Sequence, residues 1–451
     1  MLSNQRKWTI DISAISLNDN RRLKVNEMEG NVLQHKRQKH LSFHEVLSPI
    51  LTGSQFFGYL PVCGILEKQS YKLSFDWSSY RVVYTLFFLS LASFEVALMC
   101  YKALINGLSI VTVELIMFYG FAVIRVYTFL YLATKWKEVM VYWQRKEKPF
   151  LYEPYTMNSS FGLSLKVQLI GFVFFIFYLT EHIMFIGMEL HDNHHQLTYC
   201  NVTSITFLNN YLRRERPHLL LVLPYRWWIF PFFQWSITIL AFGWNFNDYF
   251  IIIISVGLSS RFNQLNRRLN CTLVNERNQK FWNEIRIHFC QLVDLMRYID
   301  NKIGILVLIS MSHNLFLICT KVFEAIRSTN RQFLIQSIYF YFYLFFLFFR
   351  TFTLLYSCSN VHQEALNPLI AIRQTPTRYW DISLKRLSDL IQTEHISLSG
   401  NGFFYITRQL ILTMVGTIVT FELVLLDRGS RGDENDTWCT YFEVQNNNTL
   451  L

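Results

Sequence analysis

The chain has 451 residues, of which 51% are hydrophobic, 17% aromatic and only 16% charged, with a mean hydropathy of +0.20. An average soluble domain carries about 25% charged residues, so these figures exclude an ordinary soluble protein and point to a chain that crosses a membrane many times. The net charge of +10 invites a nucleic-acid partner, but its distribution along the chain assigns it to a membrane surface instead.

Residues 1–42 are polar and basic and read as a cytoplasmic segment, with no apolar stretch of the kind a cleaved leader carries. Residues 43–80 read as a re-entrant or interfacial segment and linker. The apolar run 43–66 within it contains the polar His44, Glu45 and Gln55, and Pro49, Pro61, Gly53, Gly58 and Gly64; the prolines and glycines break a helix and suit an element tolerated only when packed against protein. Seven later runs reach the roughly 20 residues that a span needs: 82–104, 109–134, 166–190, 227–257, 303–326, 333–357 and 404–426. The organisation is therefore spans 1–4 over 81–257 with an outer loop at 191–226, cytoplasmic anchor helices at 258–302, spans 5 and 6 over 303–357, a cytoplasmic segment 358–403, the seventh span at 404–427 and an outer tail 428–451.

With the N-terminus inside, the inner segments 1–80, 134–166, 258–302 and 358–408 hold 29 Lys and Arg against ten on the outer side. Positive charge retained on the cytoplasmic side, facing anionic lipid headgroups, accounts for the net charge without nucleic acid. The C-terminus is then extracellular, which puts the sequons at Asn201 and Asn435 where glycosylation occurs. Cys200 and Cys439 share that oxidising side. They are free to form a disulfide; two free thiols is the equal alternative, since spacing does not fix connectivity.

Four stretches, "TEHIMF" (180–185), "FGWNFNDYFIIIISVGLSSRFNQ" (242–264), "SHNLFLIC" (312–319) and "SGNGFFYITRQLILTMVGTIVTFELVLL" (399–426), resemble the insect gustatory receptors, and more narrowly their sweet-taste subfamily. The resemblance covers residues 43 to 426. In that family the last helix ends in Thr-Tyr, five mostly apolar residues and Gln-Phe. Here Thr420 and Phe421 open the pattern, and Asp427-Arg428 stands where Gln-Phe is expected. The resemblance implies an all-α integral membrane protein that assembles as a tetramer, either a homotetramer or a heteromer with related receptors. It implies a ligand-gated cation channel in the plasma membrane of gustatory neurons, with the pore lined by the seventh span. A sugar would bind in the outer half of the bundle of spans 2 to 6. No cofactor or metal is implied, and no enzyme chemistry: the sequence shows no nucleophile–base constellation and no phosphate loop.

Depth, at 1.5 Å per residue, sorts the polar residues into two layers. The outer layer holds Glu114 and Tyr119 of span 2, Glu181 and His182 of span 3, Gln234 and Trp235 of span 4, and Gln336 and Tyr339 of span 6, with His313 and Asn314 of span 5 near mid-membrane. Carboxylates, amides and histidines bond hydroxyl groups, and an aromatic face covers the C–H side of a pyranose. These ten are the candidate sugar-binding residues; pairing between neighbouring helices is the plain alternative for each. Asp248, Arg125 and Arg350 lie deeper and read as a structural polar network.

On the seventh span Thr417, Thr420, Val424 and Asp427 share one stripe and are the candidate pore residues. Glu422 points away from that stripe and is expected to brace the helix against Lys321, which lies at a comparable height. The stretch "HDNHH" (191–195) reads as a flexible outer loop, better suited to a lid than to zinc. Trp282, Ile285, Phe289, Leu292, Met296 and Ile299 recur in steps of three and four and mark an amphipathic helix running into span 5. The stripe packs either within the chain or, on the family architecture, between cytoplasmic anchors of neighbouring subunits; the second is the expectation taken here. A sugar carrier and a receptor dependent on a co-receptor are the competing functions. Seven unrepeated spans speak against a carrier, which usually shows paired halves.

Overall fold

The computed structural model describes residues 41–107, 110–156, 162–199, 206–216, 218–219, 222, 224, 226–273, 277–327 and 333–428. Cys200, Asn201, Asn435 and Cys439 lie outside the described residues, as do the side chains of Glu422 and Asp427. The described residues form helices and no strand. Their only strand-like pairing is two isolated antiparallel bridges, Cys63–Ser74 and Ser399–Tyr405.

A short helix, α1 (Phe43–Phe56), comes first. Ser42 and Glu45 close a reciprocal capping box at its start, with Ser42 N–H donating to Glu45 Oε2 at 2.9 Å and Glu45 N–H to Ser42 Oγ at 3.3 Å. The break expected at Pro49 and Gly53 does not occur; the helix runs through both. Phe43, Leu47 and Leu51 are completely buried, and that packing outweighs the hydrogen bond that proline removes. The chain reverses at Gly58, whose φ of +76° favours glycine, and returns beside α1. Contacts between the two limbs hold them together, with His44 Nε2 2.9 Å from Glu67 O and Ser48 Oγ 2.7 Å from Ile65 O.

Among the described residues, six helices long and apolar enough to cross a membrane follow. They are α2 (Tyr80–Asn106), α3 (Ile110–Glu147), α4 (Leu163–Tyr199) and, after the short α5 (Phe207–Glu215), α6 (Ile229–Cys271), α7 (Gln279–Arg327) and α8 (Leu334–Leu366). The small helices α9 (Pro368–Arg373) and α10 (Ile382–Thr393) lead to α11 (Arg408–Arg428), whose described apolar stretch is shorter. The seven expected spans correspond to α2, α3, α4, α6, α7, α8 and α11. The 49 residues of α7 and 43 of α6 make rods about 74 and 65 Å long, some twice the ~30 Å hydrocarbon thickness, so both project far from a membrane. α6 is the central helix and packs against α3, α4, α7 and α8. At Gly243 it admits the Tyr59 hydroxyl so closely that an added Cβ would stand 1.6 Å from it.

Two expectations are corrected here. "HDNHH" is not a loop: it continues α4 to Tyr199, with Asp192 and Asn193 buried and Asn193 Oδ1 accepting from Asn210 Nδ2 at 2.8 Å. The buried face at this end of α4 is polar, so the apolar rhythm that would have extended the helix is missing. The amphipathic stripe is not left for a neighbouring subunit. Trp282, Ile285, Phe289, Leu292, Met296 and Ile299 are each at most 1% exposed within the single chain. Phe289 packs on Phe262 of α6, and α10 also packs on α7.

The start of α11 is clasped to α7. Asp300 Oδ1 accepts the Ser399 N–H at 2.6 Å and Oδ2 accepts its hydroxyl at 2.7 Å. Gly402 N–H in turn donates to Ser399 Oγ at 3.0 Å, closing the turn that feeds α11.

Candidate functional site

At the end of the bundle where α5 sits, α3, α4, α6, α7 and α8 splay around a cavity of about 740 Å³. Helical spacing sets its walls. Glu181, His182, Phe185, Met188, Glu189 and Asp192 are presented by one face of α4, and Gln336, Tyr339, Phe340 and Tyr343 by one face of α8. Glu114, Phe118 and Tyr119 come from α3, Trp244 from α6, and Leu317, Lys321 and Glu324 from α7. Glu215 of α5 and the adjoining Arg216 complete the lining.

The polar groups around this space are paired in a ring. Lys321 Nζ lies 2.7 Å from Glu114 Oε1 and 3.0 Å from Glu324 Oε2, which joins α3 to α7. The Gln336 amide donates to both oxygens of Asp192 at 3.0 Å, joining α8 to α4, and Arg214 reaches the same carboxylate at 3.5 Å. Tyr339 donates to Glu181 Oε1 at 3.4 Å, and His182 Nε2 lies 3.0 Å from Thr238 Oγ1. Tyr211 of α5 donates to Glu189. Burial pushes the Glu215 carboxyl above its ordinary value, with Arg214 pulling the other way. In the adjoining loop, burial together with the charges of Arg216 and Lys102 pushes the His218 imidazole down to about 3.

Below the cavity the polar layer changes character. Arg350 Nε lies 2.8 Å from Asp248 Oδ2, and its guanidinium stacks over the Trp244 ring at 3.7 Å. Trp244 Nε1–H donates to Asn314 Oδ1 at 3.0 Å, and Arg350 Nη1 donates to Asn245 Oδ1 at 2.6 Å. Trp244 thus serves as floor to the cavity and as a member of the network beneath.

Of the ten candidate sugar residues, Glu114, Tyr119, Glu181, His182, Gln336 and Tyr339 line the cavity. His313 and Asn314 do not. Both are fully buried in the deeper network with Asp248, Arg125 and Arg350. Gln234 stands behind the wall, 3.1 Å from the Tyr211 hydroxyl. Trp235 faces away, stacked at 6.0 Å on Phe57 and bonded to Tyr84. Lys321 lines the cavity and takes Glu114 and Glu324 as partners. Sequence reasoning omitted Phe118, Glu189, Asp192, Glu215, Arg216 and Glu324; reading α4 on past residue 190 as helix would have found Asp192.

The family model described as Trehalose receptor matches residues 25–439. The chain belongs to the trehalose receptor family of insect gustatory receptors. The receptor is 30% identical over 394 residues to the gustatory receptor for sugar taste 64b of Drosophila melanogaster, covering 87% of this chain and 96% of that one. It is 29% identical to the gustatory receptor 5a for trehalose of the same fly, covering 89% and 88%. Its fold is similar to that of the olfactory receptor OR5 of Machilis hrabei, in a structure solved in complex with eugenol. The TM-score is 0.62 at 14% identity, over 83% of this chain and 96% of that one. The receptor is a multi-pass membrane protein and not an enzyme.

Proposed function

We propose that the receptor detects a sugar in the α3–α8 cavity and answers by opening a cation pore lined by α11. It would do so as a homotetramer, or as a heteromer with related receptors, in the plasma membrane of gustatory neurons. In this reading the N-terminus is cytoplasmic, the C-terminus extracellular, and the α5 end of the bundle faces outward.

The observation that carries the reading is the cavity. Its ~740 Å³ falls within the roughly 300–1,000 Å³ of small-molecule sites. Its lining combines carboxylates and the Gln336 amide, which bond hydroxyl pairs, with Phe118, Trp244 and Tyr343, which offer apolar faces. The relatives named for sugar taste and for trehalose point to the same ligand class.

A route from cavity to α11 supports gating. Ile418 of α11 packs against the cluster of Trp244, Leu317, Ile318 and Leu347, which also holds Tyr343; Trp244, Leu317 and Tyr343 line the cavity. α11 itself leaves Leu412, Val415, Val419, Leu423 and Val424 about half or more exposed, an apolar surface that suits further copies around an axis. Thr417, Thr420, Val424 and Asp427 are the proposed pore stripe, with a ring of Asp427 favouring cations.

Sugar application to cells expressing the receptor tests this. Prompt cation current is expected. Labelled-sugar uptake without current would instead mark a carrier, and current only with a co-expressed relative would mark a co-receptor requirement. Asp427→Gln with Arg428→Phe, which restores the family's ending, is expected to change conductance or ion selectivity; identical currents would remove both residues from the pore.

A further inference from the structure

The layer beneath the cavity buries two guanidinium groups and a single carboxylate. Arg125 is 0% exposed, Arg350 1% and Asp248 0%. Asp248 is taken up by Arg350 at 2.8 Å, with Ser310 and Asn314 donating to its oxygens. Arg350 also donates to Asn245 and Asn314. Among the described residues Arg125 makes one hydrogen bond, from Nη2 to His313 Nδ1 at 3.1 Å. Its Nε and Nη1 find no partner among the described residues.

His313 accepts through Nδ1, so its proton sits on Nε2, and that N–H also finds no partner among the described residues. Tyr59, which lies within electrostatic reach of Arg125 along with Asp248 and Arg350, has an equally unpartnered hydroxyl. Phe121 stacks on the His313 ring at 4.9 Å and offers no acceptor there. Glu181, within electrostatic reach of Arg350, lines the cavity and is bonded to Tyr339.

Two facts converge. The unmet groups on Arg125 and His313 are all donors, and the layer holds one positive charge more than it holds negative. Buried charge without a counter-charge is strongly destabilising. Water would meet the donors and leave the charge; a small anion meets both. We propose that the unmet donors of Arg125 and His313 form a binding site for a monovalent halide-sized anion, chloride in its ordinary setting, which serves as counter-ion to Arg125.

The proposal is independent of the sugar reading and is tested on the purified full-length receptor in detergent. Its thermal unfolding midpoint is followed as chloride replaces gluconate at constant ionic strength. The midpoint is expected to rise with chloride and saturate, as for any ligand bound only by the folded state, with bromide substituting for chloride. Arg125→Met removes the excess charge and should abolish the dependence. His313→Phe keeps a ring against Phe121 and should raise the half-saturating chloride concentration several-fold. If the Arg125 variant does not fold, the His313 variant against the unmodified receptor decides. Equal midpoints in chloride and gluconate would overturn the assignment and leave water as the occupant. A chloride effect unchanged in the variants that fold would place the anion elsewhere and overturn it too.

Discussion

Around the cavity, α6 and α7 present Trp244, Leu317 and Lys321 to a hollow of about 740 Å³. Further along the same two helices Phe250, Phe262, Trp282 and Phe289 are at most 1% exposed, locked among Trp136, Trp143 and Phe150. The packed half interdigitates rings and aliphatic chains at the density of a protein interior. The hollow half places carboxylates, tyrosines and the Gln336 amide around its rim, each held short of the axis by a partner on the neighbouring helix: Lys321 by Glu114, Asp192 by Gln336, Glu181 by Tyr339. Polar groups that must keep a partner cannot collapse into the gap as leucines would. The difference teaches that a cavity in a helical bundle is specified by where side chains are prevented from meeting.

Four substitutions test this contrast, the most damaging first. Phe289→Glu buries a carboxylate in the packed half with no partner. It should eliminate folded protein, seen as loss of the monodisperse peak on size-exclusion chromatography of detergent extracts; a normal peak would mean the stripe is not buried within the chain. Asp248→Asn leaves Arg350 without its counter-charge. Breaking such a buried pair costs about 3–5 kcal/mol, so the folded protein should survive with a clearly lower unfolding midpoint. In the hollow half, Glu181→Gln and His182→Ala should each leave surface expression intact. Loss of a charge-assisted bond to ligand, about 1.5–3 kcal/mol, corresponds to roughly ten- to a hundredfold in affinity, read as a right-shifted sugar dose–response curve. Unshifted curves in both would remove them from the ligand site.

The smallest effect concerns pH. His218 is held neutral in the folded receptor, with its pKa pushed from 6.5 to about 3. The unfolded chain therefore binds a proton that the folded one does not between these values. Stability is fully present above about pH 6.5 and is lost progressively as pH falls toward 3. His218→Gln should flatten the fall of the unfolding midpoint between pH 6.5 and 5. An unchanged slope would show that the imidazole is not buried neutral.

The long helices were legible because apolar runs of 20 or more residues leave few alternatives. Depth was legible too, since rise per residue converts position to height. Direction around the helix axis was not. His313 and Asn314 come at the height of the cavity floor but point into the network below, and Gln234 and Trp235 sit at cavity level on other faces of α6. The stripe from Trp282 to Ile299 announced a buried face without saying what covers it; periodicity records that a side is dry, not which element dries it. Asp192 was passed over because a polar buried face gives no apolar rhythm, so the end of α4 looked like a loop.

One unbroken helix carries both Leu317 and Lys321 at the cavity and Asp300 at the clasp on Ser399. From Asp300 to Lys321 it advances about 32 Å, and each residue turns it by about 100°. The two attachments are therefore fixed in phase as well as in distance. One residue added or removed between them would turn one end about 100° away from its partners while leaving every local motif intact. The number of residues between the clasp and the cavity is thus itself a dimension of this receptor, set as firmly as the length of a drive shaft between two keyed gears.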